Sequence, residues 1–324
     1  MRVKRLAALT LCAAALSAQP AAAQDASPTA LILNAAAVRL RATPSTNAAV
    51  VAQLALGTDV TLLERQTTGD WTRVRTANGA EGWIAGGLAT AVAPGHRLGA
   101  IERIVQERLA RQGDGFPACA ELLAFVQRVA ADLPDADTRA RFAWHELRAT
   151  SHTARAVPFI TDRVMTTEPY ASWLKARDGV VFYNEPGGVW MLNHSAFLAA
   201  YDRHKGTRAA DDILWESVLN GLGGECETDV ACHLGAIATL EGEYLRREPR
   251  GRHADAARER AFERLNMIAG WLEQPEMFAP ARDCPDAKKA LAPLYSVLVA
   301  NEAPGRGRAI PTLDRIQSRC ASFP

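Results

Sequence analysis

"VRLRATPSTNAAVVAQLALGT" (residues 38–58) and "GDWTRVRTANGAEGWI" (69–84) are the stretches that decide the fold. Branched residues cluster in short runs, and the breaks fall at Pro44-Ser45, Leu56-Gly57, Thr68-Gly69 and Asn78-Gly79. Runs of that kind predict strands, because branched side chains suit a pleated surface while glycine and proline suit turns. Asn78-Gly79, between "WTRVRT" and "GWIA", predicts a hairpin closed by a tight primed turn with positive φ at both centres. Several short strands within residues 30–92 predict a small β barrel.

The same residues resemble a bacterial SH3-like domain. That family runs from a strand with alternating arginines through a Pro-Ser turn, a valine-rich strand and Gly-Thr to Trp-x-x-Val and Gly-Trp-Ile. Val38 to Ser45, Gly57-Thr58, Trp71, Val74 and Gly82-Trp83-Ile84 occupy those places in order. The chain departs from the pattern at Arg39, where asparagine is common, and at Thr43, where glycine usually precedes the proline. The resemblance implies a module that binds wall peptide, glycan or another envelope protein. Trp71 and Trp83 then have two readings: half-buried packing, or a binding face to which Arg41 contributes.

Beyond the β segment, "ATAVAPGHR" (89–97) reads as a linker around Pro94-Gly95, with the strict boundary at 93–97. The periodicity then becomes helical. Ile101, Ile104, Val105 and Leu109 share one face up to Gly113, and Leu122, Leu123, Val126 and Val129 share another up to Pro134. Further helices are predicted near 137–152, 195–204, 209–220, 230–247, 254–272, 286–300 and 311–320. "DGVVFYNEPGGVWMLNHSAF" breaks the series and reads as an inserted hairpin, with Asn193 or Ser195 capping the next helix. "AAYDRHKGTRAADDILW" and "GEYLRREPRGRHADAARER" echo each other around Gly206 and Gly251. The echo suggests stacked helical hairpins that weakly resemble tetratricopeptide-type repeats, with an irregular bundle as the alternative. The expected architecture is multidomain α and β: a signal peptide at 1–23, an SH3-like barrel at 24–92, the linker, and a mainly α-helical domain at 98–324.

The leader rests on Arg2, Lys4 and Arg5, an apolar stretch from Leu6 to Leu16, and Ala21-Ala22-Ala23 before Gln24. It is too short to span a bilayer. Cys12 follows Leu11, where a lipid-attachment signal needs a small residue. No later stretch is long and apolar enough for a membrane span, so an exported, periplasmic or extracellular protein is expected. Losing the leader moves the charge balance from 37 basic against 36 acidic residues to 34 against 36. That near-neutral sum, without a basic run, excludes nucleic acid as the expected partner. In an oxidising compartment, the remaining cysteines read first as disulfides.

"GGECETDVACH" (223–233) offers three readings: a metal site, a cysteine nucleophile with its base, or a staple. Cys226 and Cys232 stand six apart with no matching Cys/His pair, which suits zinc poorly. Glu225, Glu227 and Asp229 alternate, yet lack the distal carboxylate of a calcium loop. His233 follows Cys232 directly, and helix neighbours point about 100° apart. The staple is therefore expected, with Cys284–Cys320 as a second pair and Cys119 free. Cys119 begins a predicted helix, as a wall cysteine peptidase would require, but the Cys-Ser-Gly signature is absent. His145, Glu146 and His152 in "HELRATSH" do not form a zinc-amidase motif and read as a solvated helix face. His194, with Glu185 and Trp190, is the remaining candidate group. No catalytic residue, metal or cofactor is expected. The expected role is binding or scaffolding in the envelope, with a wall hydrolase of unrecognised active site as the alternative.

Overall fold

The computed structural model describes residues 30–65, 69–111, 113–159, 162–227, 229–274, 280–299 and 306–321. The leader expectation, with Cys12 and Ala23, lies outside them. Strands β1 (Ala30–Leu33), β2 (Val38–Arg41), β3 (Val50–Leu54), β4 (Asp59–Arg65), β5 (Trp71–Thr76), β6 (Glu81–Ala85) and β7 (Ala89–Val92) form one sheet. Its order is β3-β2-β6-β5-β4-β1-β7, and every pairing is antiparallel. Alternation places Leu31, Leu33, Val38, Leu40, Val60, Val74 and Ile84 in one apolar core.

Two turns of the chain differ from expectation. The β5–β6 hairpin forms, but positive φ occurs at Gly79 (+87°) and not at Asn78. Gly79 N donates to Thr76 O and Thr76 N donates to Ala80 O, so Ala77, Asn78 and Gly79 make a three-residue loop. A loop of that length needs only one left-handed residue, whereas a two-residue primed turn needs two. Residues 89–92, read as the start of the linker, are an edge strand paired with β1 from Ala30↔Val92 to Leu33↔Ala89.

β1 is buried on both faces, because helices cover the outer one. α1 (Arg97–Ala110) and α2 (Phe116–Ala130) gather Ile32 and Leu56 into a cluster with Ile101, Ile104, Phe125 and Val126. The β3–β4 turn is held at both backbone groups. Leu56 N donates to Glu121 Oε1 (2.7 Å), and Arg128 Nη2 donates to Leu56 O (3.0 Å). Arg97 adds an ion pair to Asp59 at 2.8 Å. Gly57 sits between these anchors at φ +79°, and a Cβ there would lie 2.0 Å from Phe125 Cε2. Gly57→Ala combines a left-handed penalty with overpacking, so a loss of about 2 kcal/mol is expected in urea unfolding. Gly57→Ala combined with Phe125→Leu recovers part of that loss. A single variant as stable as the parent would show that the seam is not packed this way.

α3 (Ala136–Arg155) packs on α2, and two short helices follow, α4 (Asp162–Thr166) and α5 (Tyr170–Lys175). The sequence did not announce them: neither is long enough to show an apolar period, and Pro158 and Pro169 interrupt the region. The inserted hairpin is β8 (Val181–Asn184) with β9 (Val189–Leu192). Asn193 takes the N-cap position of α6 (His194–His204), but its side chain makes no capping bond. Its Nδ2 instead donates to Gly179 O, tying the helix start to the hairpin.

α6 pairs with α7 (Arg208–Asn220), and α8 (Val230–Ile237) runs through a π turn, Ala238–Gly242, into α9 (Glu243–Arg247). α10 (Ala254–Trp271), α11 (Pro280–Leu298) and α12 (Arg306–Cys320) complete a shared core that includes Ile213, Leu234, Phe262, Leu294 and Ile316. The two echoing segments hold each other. Tyr201 Oη donates to Glu248, beyond the end of α9, and Tyr244 Oη donates back to Asp211 on α7. Their glycines serve different ends: Gly206 has φ +90°, whereas Gly251 leaves room for the Tyr244 hydroxyl, 2.4 Å from where a Cβ would stand. Glu241, fully buried in the π turn, is neutralised by Arg260 and Arg264.

Candidate functional site

Three places carry chemistry, beginning with the outer surface of the sheet. In β5, Thr72, Val74 and Thr76 point inward, so Trp71, Arg73 and Arg75 point out. In β6 the same parity turns Glu81 and Trp83 outward. The register aligns Arg41 with Val50, Trp83 with Arg41, Arg73 with Trp83, and Glu64 with Arg73. Val50, Arg41, Trp83, Arg73 and Glu64 thus form one row across five strands, with Trp71 two residues along β5 from Arg73, opposite Ala85. Both tryptophans are half-buried, and neither belongs to the core around Val74 and Ile84.

Charge pairing fixes this row. Arg73 reaches Glu81 at 3.0 Å and Glu64 at 4.0 Å, and Arg75 reaches Glu81 at 2.6 Å. The hydrogen bond from Arg75 outweighs desolvation and, with the charges of Arg75 and Arg73, holds the Glu81 carboxyl below its ordinary range. Arg41 has a structural task as well, since its Nη1 donates to Ala48 O at 2.8 Å and braces the β2–β3 loop. The sequence reading picked out Arg41, Trp71 and Trp83, which the sheet brings to one face. It missed Arg73, Glu81 and Val50, although Arg73 shares the parity of Trp71 in "WTRVRT".

The second place is a groove of about 700 Å³ between α6, α8–α9 and α11, lined by His194, Leu198, Gly235, Glu243, Arg246 and Pro293 among others. Both ring nitrogens of His194 are buried without a hydrogen-bond partner, and burial pushes the ring's pKa down. The groove's charges are committed to one another: Glu243 pairs with Arg246 and Arg247, and Lys289 with Asp286. Glu185 and Trp190 do not join His194 there. Glu185 is exposed in the β8–β9 turn, and Trp190 packs with Tyr183, Phe197 and Leu192 in a separate cluster. Strand alternation sends Trp190 into that cluster, so the proposed trio dissolves.

The third place is the start of α2. Cys119 and His152 line one crevice of about 310 Å³ with Arg108, Arg111, Asp114 and Arg155. Cys119 Sγ donates to Asp114 O at 3.5 Å. Burial, and next the Asp114 charge, push its thiol up, away from the thiolate a nucleophile needs. The face of "HELRATSH" is not solvated, because α3 lies between α2 and α7. His145 is 1% exposed, stacked on Trp144, and desolvation pushes its pKa down to about 4. Glu146 accepts from Gln127, and Thr150 and Thr153 return their hydroxyls to helix carbonyls.

In "GGECETDVACH", Cys226 and Cys232 are joined, with Cα atoms 5.4 Å apart. Asp229 caps α8 by accepting from Cys232 N, and His233 bonds Glu227 O and leans on Trp271. Cys232 is therefore spent in the bridge and His233 in the loop's own backbone. Cys284 and Cys320 are likewise joined, while Cys119 is a buried thiol. Among the described residues, no group of three or more His, Cys, Asp or Glu is placed to hold a metal ion, and no helix is long and apolar enough to cross a membrane.

Residues 36–89 match the bacterial SH3 domain family, which covers the sheet from just before β2 to the start of β7. No curated protein and no solved structure matches the chain. The sheet is thus an SH3-type module, of the kind that binds cell-wall or protein partners, followed by a mostly helical region with a small β-hairpin.

Proposed function

We propose that the protein is exported to the periplasm or cell exterior and works there as a non-catalytic binder, with the SH3-like module engaging wall peptide or glycan. The observation that carries this reading is the outward row Val50–Arg41–Trp83–Arg73–Glu64 with Trp71 beside it. Aromatic faces flanked by guanidinium groups suit sugar rings and peptide carboxylates, since they combine apolar contact with charge-assisted hydrogen bonds. The leader-like N-terminus and the two joined cysteine pairs support export. In this reading residues 1–23 are removed, 24–92 bind, 93–97 connect, and 98–324 form a scaffold. Its groove beside His194, with charges already paired, is suited to display surface to an envelope protein.

The rival reading, a wall hydrolase, draws on Cys119 and His152 sharing a crevice. The raised thiol and the absence of a bond between the two side chains speak for the binder. Sedimentation of the mature protein with purified wall sacculi separates the two. The expected result is saturable co-sedimentation without soluble wall fragments. Fragment release that disappears in Cys119→Ser would replace this reading with the hydrolase.

A further inference from the structure

The crevice at the start of α2 has a charge pattern that packing does not explain. Arg108, Arg111 and Arg155 line it with one carboxylate, Asp114. Arg108 is only 6% exposed, and its single ion pair runs from Nη2 to Asp114 at 3.1 Å. Its Nε is buried and has no hydrogen-bond partner. A guanidinium withdrawn from water with an unused donor is costly unless something else takes that bond. Arg111, at the C-cap of α1, and Arg155, the last residue of α3, have no ion-pair partner among the described residues. Beside His152, whose pKa burial pushes down, the remaining lining is apolar or nearly so: Leu122, Ala156, Gly113 and the Cys119 thiol.

We propose that this crevice is a binding site for a small carboxylate on a short apolar body. The carboxylate lies among the three guanidinium groups, where paired N–H donors match its two oxygens. Its apolar part rests on Leu122 and Ala156, beside the Cys119 sulfur. A bare inorganic oxyanion would satisfy the arginines but leave that apolar floor uncovered. The inference stands apart from the wall-binding reading, because it uses none of the sheet's residues.

Cys119 is the free thiol with which to test it, since the other cysteines of the leaderless chain are joined. The mature protein, with both disulfides intact, is alkylated in parallel with iodoacetate and iodoacetamide, and the rates are followed by intact mass. In both cases the thiolate displaces iodide from the reagent to form the thioether, so the ionised fraction cancels in the ratio of rates. Attraction by the arginines is expected to raise the iodoacetate-to-iodoacetamide ratio about tenfold over the same chain in urea. Arg111→Ala with Arg155→Ala should return the ratio towards the unfolded value while the melting curve stays unchanged. N-acetylalanine should protect Cys119 saturably, and N-acetylalaninamide should not. A native ratio equal to that in urea, a ratio indifferent to the double substitution, or equal protection by the amide would each overturn the site. Better protection by inorganic phosphate than by N-acetylalanine would overturn the carboxylate assignment.

Discussion

Replacing Cys284 and Cys320 together by alanine is expected to remove about 3–4 kcal/mol of stability, from the loop-closure entropy of a bridge spanning 36 positions. Both sulfurs are fully buried, and the bridge joins the first part of α11 to the last residue of α12. These two helices hold the end of the apolar core through Leu294, Leu298, Leu313 and Ile316. The bridge ties α11 and α12 to each other, while α11 packs on α8 and α12 packs on α10. Urea unfolding of the oxidised parent and the double variant measures the difference. The shorter Cys226–Cys232 loop gives a smaller effect, roughly 2 kcal/mol, by the same relation. If the Cys226/Cys232 variant lost more than the Cys284/Cys320 variant, the loop-entropy account would be wrong.

Acidification produces the second large effect. His145 is neutral in the fold because desolvation, and then the charges of Arg148 and Arg141, push its pKa down to about 4. In the unfolded chain the ring titrates near its ordinary value of about 6.5. Protonation therefore favours the unfolded state. The stabilisation is complete above about pH 6.5 and is lost progressively as the pH falls towards 4, reaching about 3 kcal/mol. His152, His194 and His253 have pKa values lowered mainly by burial and add to the same slope. His145→Phe isolates the leading contribution. The Nδ1 of His145 has no partner, so an apolar ring of similar size is expected to be tolerated at pH 7. Between pH 6.5 and 4 the variant's stability should fall much less than the parent's. Parallel curves for the two proteins would place the titration elsewhere.

The β half was legible because turns and branched runs agreed: Leu40, Val74 and Ile84 sit where alternation puts them. What escaped depended on tertiary cover. β1 reads as an ordinary strand, and only α1 and α2 make its outer residue Ile32 a core position. "HELRATSH" reads as a solvated face because its residues are polar, yet α2 and α7 bury it: Glu146 accepts from Gln127 on α2, Thr150 donates to a helix carbonyl, and His145 Nδ1 is left without a partner. Cys119 and His152 lie on different helices, distant in sequence, and meet through the α2–α3 packing alone. Of the binding face, the tryptophans were visible as motif residues. The row that joins them to Arg73 and Glu64 depends on strand register, which includes bulges at Leu40/Arg41 and Leu62/Glu64 that no alternation pattern announces.

The central claim is that the outward row, rather than the core, is where Trp83 acts. Trp83→Ala in the mature chain, measured by sacculus co-sedimentation alongside circular dichroism, tests it most directly. Loss of a half-buried aromatic anchor from a binding face costs upwards of about 1.4 kcal/mol, a tenfold weakening. The account predicts that weakening with an unchanged β-type spectrum, and a similar, smaller effect for Trp71→Ala. A lost β-type spectrum, or undiminished binding by a folded Trp83→Ala protein, would contradict it.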